Sequence, residues 1–501
     1  MGLVIYPPTI DWTYMKQRPQ QLMSQFAKDG HTVLFFNKHN QPGPVVEKVS
    51  DHLYVINHTE YFMKHIYPHY ANQPTLYWCS WSKKIPFASL FHSDYVVYDC
   101  VDDFPEWDHD EKLYVDMAHA IVCTADKLEQ KMRRLCVDKP IEKIPNGCDW
   151  DYFNQVARDP NKVMSVQNLP PASGPKIGYI GAWAPWVDES LIQYASQQMP
   201  HAQILIVGPV LREEVKFPRD NVFLLGHQNY EALASLLSYI DVCIIPFRIN
   251  RVTESTNPIK AYEYLAAGKP VVSTNLPEVR KLVPYVRIAN SKEEFVSHLL
   301  TAYRLKDRDI HKRSAFAQSF SWFNRYLQIR SFLATRFPAF FQVQNTISLH
   351  QTNMRSFTLP LQFCTVNSYF TNHNLSKDPV FIGEWKQTEY RCFLQISHRA
   401  LRHLNKPPRH VYLELDSTAG LENYEITVSS VAQPWVKSAL TFSNKPSGDA
   451  LGTFRLARPF NETYSIDITG IWHRELLSLE LSSNQQAVSF VNPRLTFITD
   501  S

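Results

Sequence analysis

The sequence predicts an α/β chain with two doubly wound domains and a C-terminal all-β sandwich. Three observations lead there. Short, continuously apolar runs alternate with helical stretches from the N-terminus to about residue 335, as in parallel sheets covered on both faces. A Pro-rich break, Leu169-Pro170-Pro171-Ala172-Ser173-Gly174-Pro175, interrupts this pattern, which then restarts. From about residue 345 the period changes from helical to alternating. The expected domains are therefore 1–168, 169–338 and 345–501, and 501 residues are too many for one core.

In the first domain, Leu3 to Tyr6 is an apolar strand. Pro19 opens a helix, Gln20 to Lys28, that ends near Gly30, and Thr32 to Phe36 follows as a strand. Thr75 to Trp78, Tyr95 to Tyr98 and Ala120 to Thr124 are further buried-type strands, and Asp126 to Leu135 is a helix. The second domain reads strand Lys176–Ile180, helix Glu189–Gln198, strand Gln203–Val207, strand Asn221–Leu225, helix Tyr230–Ile240 and strand Val242–Pro246. A helix after Asn257, a strand Val271–Thr274 and helices over Phe295–Leu305 and Phe316–Phe332 complete it. In the third, Tyr390–Ile396, Val411–Leu415 and Tyr464–Thr469 alternate as half-buried strands do.

Composition excludes several classes. The formal charge is +3, 44% of residues are hydrophobic and no basic block interleaves with aromatics, so no nucleic-acid partner is expected. The eight cysteines are dispersed without a C-x-x-C pair, which argues against a zinc site or a disulfide framework. The first residues read as a strand without a basic n-region, and no run is long enough to span a bilayer. A reducing cytoplasm is the expected compartment.

The densest signal is Asn257-Pro258-Ile259-Lys260-Ala261-Tyr262-Glu263-Tyr264-Leu265-Ala266-Ala267-Gly268-Lys269-Pro270-Val271-Val272. Asn257 suits an N-cap, Pro258 the first helical position and Gly268 a left-handed stop. Lys260 and Glu263 are three apart and share a face. A helix N-terminus suits a phosphate, and Glu263 lies about 7 Å further along the axis, near the span from a pyrophosphate to its ribose. Taken alone, the segment also reads as a helix on a parallel sheet with a surface ion pair.

This stretch resembles the donor-nucleotide helix of retaining GT-B glycosyltransferases of family four, in the E-x-x-A-x-G-x-P-V-V form. Pro145-Asn146-Gly147-Cys148-Asp149 followed by Phe153 resembles the interdomain P-N-G-x-D-x-x-x-F signature of the same family. Ser321-Trp322 resembles the tail by which these enzymes cross back to their first domain. Arg18-Pro19-Gln20-Gln21 resembles a motif of the teichuronic-acid-type, bacterial cell-surface subgroup. The C-terminal part is similar to a DNRLRE-type sandwich, on Trp435, Leu440 to Pro446, Ser465 to Thr469 and Asn492 to Leu495.

The resemblance implies two facing Rossmann-like domains and roles for particular residues. Glu263 would hold the ribose. Where relatives carry a sugar-contacting glutamate this chain has Ser255, with Glu254 one residue off register, and either can serve. An Arg/Lys pair expected after the first strand of the second domain is absent from Gly181-Ala182-Trp183-Ala184-Pro185-Trp186-Val187-Asp188, so the phosphate cation falls to Lys260, Arg248, Arg251 or Arg18. Gly181 lets backbone approach a ligand, and Gly226-His227 faces the base by resemblance. Trp183 and Trp186 either stack on a sugar or base or close the domain interface. Asp102 or Asp103 stands near where relatives have a histidine, to orient the acceptor hydroxyl or accept its proton, or else as a helix cap. His31 reads as structural. Lys131, Arg133 and Arg134 face either an anionic membrane or solvent.

The implied function is metal-independent, retaining transfer of a sugar from a nucleoside-diphosphate donor, UDP by preference, to a hydroxyl of a glycan or glycolipid in surface polysaccharide synthesis. No cofactor and no metal are implied beyond the donor itself. Peripheral contact with the inner face of the cell membrane and homo-oligomerisation stay open. The rival reading is a non-catalytic nucleotide-sugar or glycan-binding protein on the same scaffold, and a third is an epimerase. The sandwich would position a glycan or mediate oligomerisation.

Overall fold

In the computed structural model, the residues described are 2–71, 73–159, 169–170, 174–211, 220–342, 354–368, 379–396, 401, 407–417, 421, 423–431, 435, 437, 439–446, 448–456, 459, 461–473 and 478–500. Residues 171–173 of the Pro-rich break and the expected start of the sandwich at 345 lie outside them. The chain divides into two compact units: one of residues 1–6, 12–33 and 74–347, the other of 7–11, 34–73 and 348–501.

The first unit holds two parallel sheets. One carries Leu3–Tyr6, Thr75–Cys79, Tyr95–Cys100, Ala120–Cys123 and Ile141–Lys143 in that spatial order, every pairing parallel. Except in the edge strand Ile141–Lys143, their side chains are almost wholly buried, which is why the sequence shows mostly apolar runs there. The second sheet runs Val222–Leu224, Gln203–Val207, Lys176–Ile180, Val242–Ile245, Val271–Thr274, Val286–Ala289, again all parallel. Its first strand in sequence lies third in space, so the order reverses between Lys176–Ile180 and Val242–Ile245. Ligands in such sheets sit in the crevice beyond the strand ends at this reversal.

Most predicted elements form within a residue or two of their expected limits. The helix expected from Gln20 begins at Arg18, because Gln17 and Gln20 close a capping box. The single helix expected over Phe316–Phe332 is two, Ile310–Gln318 and Trp322–Ala334, since the Ser321 hydroxyl caps the second by accepting from Asn324 N. Tyr230–Ala232 is a 3-10 turn and the helix proper is Leu233–Tyr239. No helix of the described residues is long and apolar enough to cross a membrane.

The second unit is antiparallel and two-layered. One layer holds Asp449–Leu456, Tyr424–Ser430, Ser478–Ser482 and Thr388–Gln395, the last also pairing with Gln362–Asn367 and Val380–Trp385. The other holds Thr463–Asp467, His410–Asp416, Val488–Asp500, Met354–Pro360 and the short Gly43–Pro44. Ile382, Leu394, Leu413, Ile426, Leu481, Leu495 and Phe497 meet between them. Residues of the N-terminal third are thus built into the sandwich's own unit. Glu414, fully buried, accepts from Arg494 Nε at 2.9 Å, Thr496 Oγ1 at 2.9 Å and Asn40 Nδ2 at 2.6 Å, and lies 3.2 Å from His58 Nε2. These donors hold its carboxyl down to about 2 against the upward push of burial.

Candidate functional site

The helix Ile259–Ala266 starts beyond the reversal point of the second sheet. It buries Ala261, Tyr262, Tyr264, Leu265 and Ala266 among the sheet and the helices Trp150–Arg158 and Ile310–Gln318, and leaves Lys260 and Glu263 half-buried. Gly268 ends it at φ +72, where a Cβ would also strike Ile310 at 2.6 Å. The cap is Pro258, not Asn257, a correction to the sequence reading. Asn257 is drawn off by tertiary partners: its Oδ1 accepts from Asn146 N at 3.0 Å, its carbonyl accepts from Asn146 Nδ2 at 2.6 Å, and its Nδ2 donates to Tyr262 Oη at 3.0 Å. The interdomain signature is thereby fastened to the base of the helix.

Lys260 and Glu263 form no ion pair. Among the described residues neither has a hydrogen-bond or salt-bridge partner, although each lies in the other's field. The Lys260 ammonium sits 4.9 Å from the Phe247 ring centroid and 5.3 Å from that of Tyr179. Burial pushes it down to about 8, with Glu263 pulling upward. Burial pushes Glu263 up to about 7, Lys260 opposing and Asp149 reinforcing. Two half-buried charges one turn apart, each shifted by burial and without a hydrogen-bond partner among the described residues, have the character of groups that cluster at functional sites.

Glycine backbone packs closely beside Lys260 at the strand ends. Gly181 stands at φ +151 with Lys260 packed over it, 3.0 Å from where a Cβ would be. Gly208, which the sequence reading passed over, stands at φ +149, and a Cβ there would meet the Gly181 carbonyl oxygen at 2.2 Å. Its only sequence signal is a glycine directly after the strand Gln203–Val207.

The other predicted residues scatter in role. Arg18 is no free cation: it is 2% exposed, and its Nε donates to both Asp99 oxygens at 3.0 and 2.8 Å. Its Nη1 reaches the Pro145 carbonyl and Asn146 Oδ1. Arg251 clamps Asp103 with two bonds of 2.9 and 2.7 Å, and Lys131 donates to the same carboxylate at 2.6 Å. Lys131 also pairs with Glu111, and Arg133 with Glu129. Glu254 accepts from Lys127 at 2.7 Å, while Ser255 is 2% exposed. Asp102 differs from Asp103: it has no partner among the described residues, and burial plus the Asp103 charge raise it to about 6. Arg248 is exposed and likewise unpaired. Trp183 is fully buried in the second domain's core, which removes it from the stacking candidates, and Trp186 is half-buried. Asp188 caps the helix Glu189–Gln198 by accepting from Leu191 N. His227 is exposed and stacks on Tyr14 with centroids 5.7 Å apart and planes 7° from parallel. The eight cysteines are free and buried, and the described residues contain no group of three or more His, Cys, Asp or Glu able to hold a metal.

Comparison with known proteins agrees with this geometry. Residues 174–304, which contain Gly181, Lys260 and Glu263, match the family described as Glycosyl transferases group 1. Over 225 residues the chain is 28% identical to a protein assigned provisionally as the teichuronic acid biosynthesis glycosyltransferase TuaH of Bacillus subtilis (strain 168). That match covers 40% of this chain and 55% of the relative, so the chain spans about half the length of the curated relative it matches. Sucrose-phosphate synthase from Thermosynechococcus elongatus superposes with a TM-score of 0.53 at 17% identity, over 68% of this chain and 100% of that one. The α,α-trehalose-phosphate synthase (UDP-forming) from Burkholderia xenovorans, solved with glucose-6-phosphate, gives 0.51 at 11% identity over 66% and 100%. At those identities the likeness is one of fold: two Rossmann-like domains in the GT-B arrangement, with the antiparallel unit in addition.

Proposed function

We propose that the chain is a glycosyltransferase that moves a sugar from a nucleoside-diphosphate donor to a hydroxyl of a glycan or glycolipid acceptor. The observation that carries this reading is the unpaired Lys260–Glu263 couple at the sheet's reversal point. Lys260 and the free N–H groups of the helix start would neutralise the diphosphate, with exposed Arg248 nearby in sequence as a second cation. Glu263 would accept from the ribose hydroxyls. With these charges supplied by the protein, the reading needs no metal. In the reaction the bond from sugar C1 to the phosphate oxygen breaks, a bond from C1 to the acceptor oxygen forms on the same face, and the acceptor proton passes to the leaving phosphate. Of the two aspartates Asp102 is the candidate to orient the acceptor hydroxyl, because Asp103 is clamped by cations while Asp102 has no partner among the described residues. UDP is the donor nucleotide this reading prefers, and the likeness to the Bacillus subtilis protein supports a setting in cell-surface polysaccharide synthesis.

One observation favours the rival, binding-only reading. The carboxylates of Asp103 and Glu254 are both engaged by cations, Arg251 with Lys131 and Lys127 respectively. Thermal-shift and calorimetric titration with UDP, other nucleoside diphosphates and their sugar conjugates tests both. A ligand at a hundred times its dissociation constant adds about 2.7 kcal/mol to the state it binds. Binding with acceptor-dependent release of the diphosphate supports the transferase. Binding without release supports the rival in its nucleotide-sugar form, and no binding refutes the transferase and leaves the rival only its glycan-binding form.

A further inference from the structure

The segment Tyr14–Gln21 reaches the donor domain at three places that the assignment above does not use. Tyr14, 41% exposed, lies flat on the His227 ring. Lys16 sits 4.6 Å from the centroid of Tyr230. Gln21 Nε2 donates to the Tyr230 hydroxyl at 3.1 Å. Tyr230 is itself stacked on Tyr152 at 5.2 Å, and the Glu263 and Asp149 charges bear on its hydroxyl. Along the cleft edge the order is therefore Gly181 and Lys260, then Glu263, then Tyr230 and the loop that carries His227. A nucleotide with its diphosphate at Lys260 and its ribose at Glu263 directs its base towards that last group.

We infer that Tyr14, supplied by the first domain, is a base-stacking residue of the donor site, so that nucleobase recognition spans both domains. This rests on the nucleotide-sugar reading. Two parallel rings 5.7 Å apart are already oriented for a planar base. A base slipped beside or between them replaces a ring-on-ring contact with a base-on-ring contact, and every nucleobase offers a π-face for that. The Lys16 and Gln21 contacts hold the segment while Tyr14 adjusts, which gives this one aromatic a reason to be so exposed.

The test is calorimetric titration of wild type, Tyr14→Ala and Tyr14→Phe with UDP and, separately, inorganic pyrophosphate. Because Tyr14 is exposed, folding of the variants is checked simply by unchanged melting of the free proteins. Tyr14→Ala should weaken UDP binding about tenfold and leave pyrophosphate binding unaltered, and Tyr14→Phe should restore the UDP affinity. His227→Ala should repeat the alanine result. Unchanged or tighter UDP binding by Tyr14→Ala overturns the inference while leaving the nucleotide reading intact. An equal loss for pyrophosphate also overturns it, since the residue would then act through the loop's structure. Failure of wild type to bind any nucleoside diphosphate removes the reading and the inference together.

Discussion

Replacing Glu263 with Gln should make the empty protein more stable and the nucleotide complex weaker, and the pH dependence of the first effect follows from the structure. Burial moves the Glu263 carboxyl from 4.5 to about 7. A carboxyl raised in the folded state disfavours folding once it must ionise: the penalty is absent below 4.5, grows up to about 7 and is complete above. At about 1.4 kcal/mol per pH unit, it amounts to roughly 1.4 kcal/mol at pH 5.5 and roughly 3 kcal/mol at pH 8. Glutamine carries no such penalty, so the stability gap between Glu263→Gln and wild type should widen by up to about 2 kcal/mol between those pH values. Lys260 offsets part of the gain, because it loses the neighbouring carboxylate that supports its charge. Urea titrations of both proteins at pH 5.5 and 8, read by fluorescence on the donor-domain transition, measure the gap. The same variant should lose at least about tenfold in UDP affinity, since hydrogen bonds to an ionised acceptor contribute about 1.5–3 kcal/mol each. A gap independent of pH, or a variant less stable than wild type at pH 8, would refute the claim that Glu263 is held desolvated and unsatisfied.

Four further outcomes are expected. Pyrophosphate affinity should fall as pH rises through about 8, where Lys260 loses its proton in the empty site, and Lys260→Met should flatten that slope in calorimetric titrations. Arg18→Met should cost about 3–5 kcal/mol in melting experiments, because it leaves the Asp99 carboxylate buried without its cation; a near-neutral variant would show that the pair is replaceable. Gly208→Ala should weaken nucleotide binding and stability together, since the added methyl lands 2.2 Å from the Gly181 carbonyl oxygen at φ +149; wild-type affinity would show that the two loops are free to part. Glu414→Gln should destabilise the second unit by about 3 kcal/mol at neutral pH. In wild type the contribution of Glu414 is present above about 4.5 and fades as pH falls towards about 2, a decline that circular dichroism would follow and the variant should lack.

The site was partly legible before the structure. Glu263 and Lys260 lie one turn apart in a helix that Gly268 stops, so spacing alone put the two charges on one face. Gly181 was legible as a glycine closing an apolar strand. Asn257 was misread because capping preference is a local rule, and the Asn146 amide is a stronger tertiary competitor for the same side chain. Trp183 was misread because an indole next to a strand end suits a cleft and a core equally, and only packing against Val187 and its neighbours in the sheet's core decides. Tyr14 carried no signal at all: its meaning lies in His227, more than two hundred residues away.

What the sequence by itself determined was the succession of elements, the fold class and the helix that bears Lys260 and Glu263. These follow from hydrophobic period and turn chemistry, which act over a few residues. The tertiary structure alone decided which charges are free. Arg18, Arg251, Asp103 and Glu254 look as available in sequence as Lys260, Arg248 and Asp102, yet the first four meet opposite charges from distant segments and, among the described residues, the last three do not. It also decided that residues 34–73 belong with the C-terminal unit, through Asn40, His58 and Glu414. The physical reason is common to both: a charge or polar group is satisfied by whatever the chain topology brings within about 3 Å, and no local pattern encodes that partner.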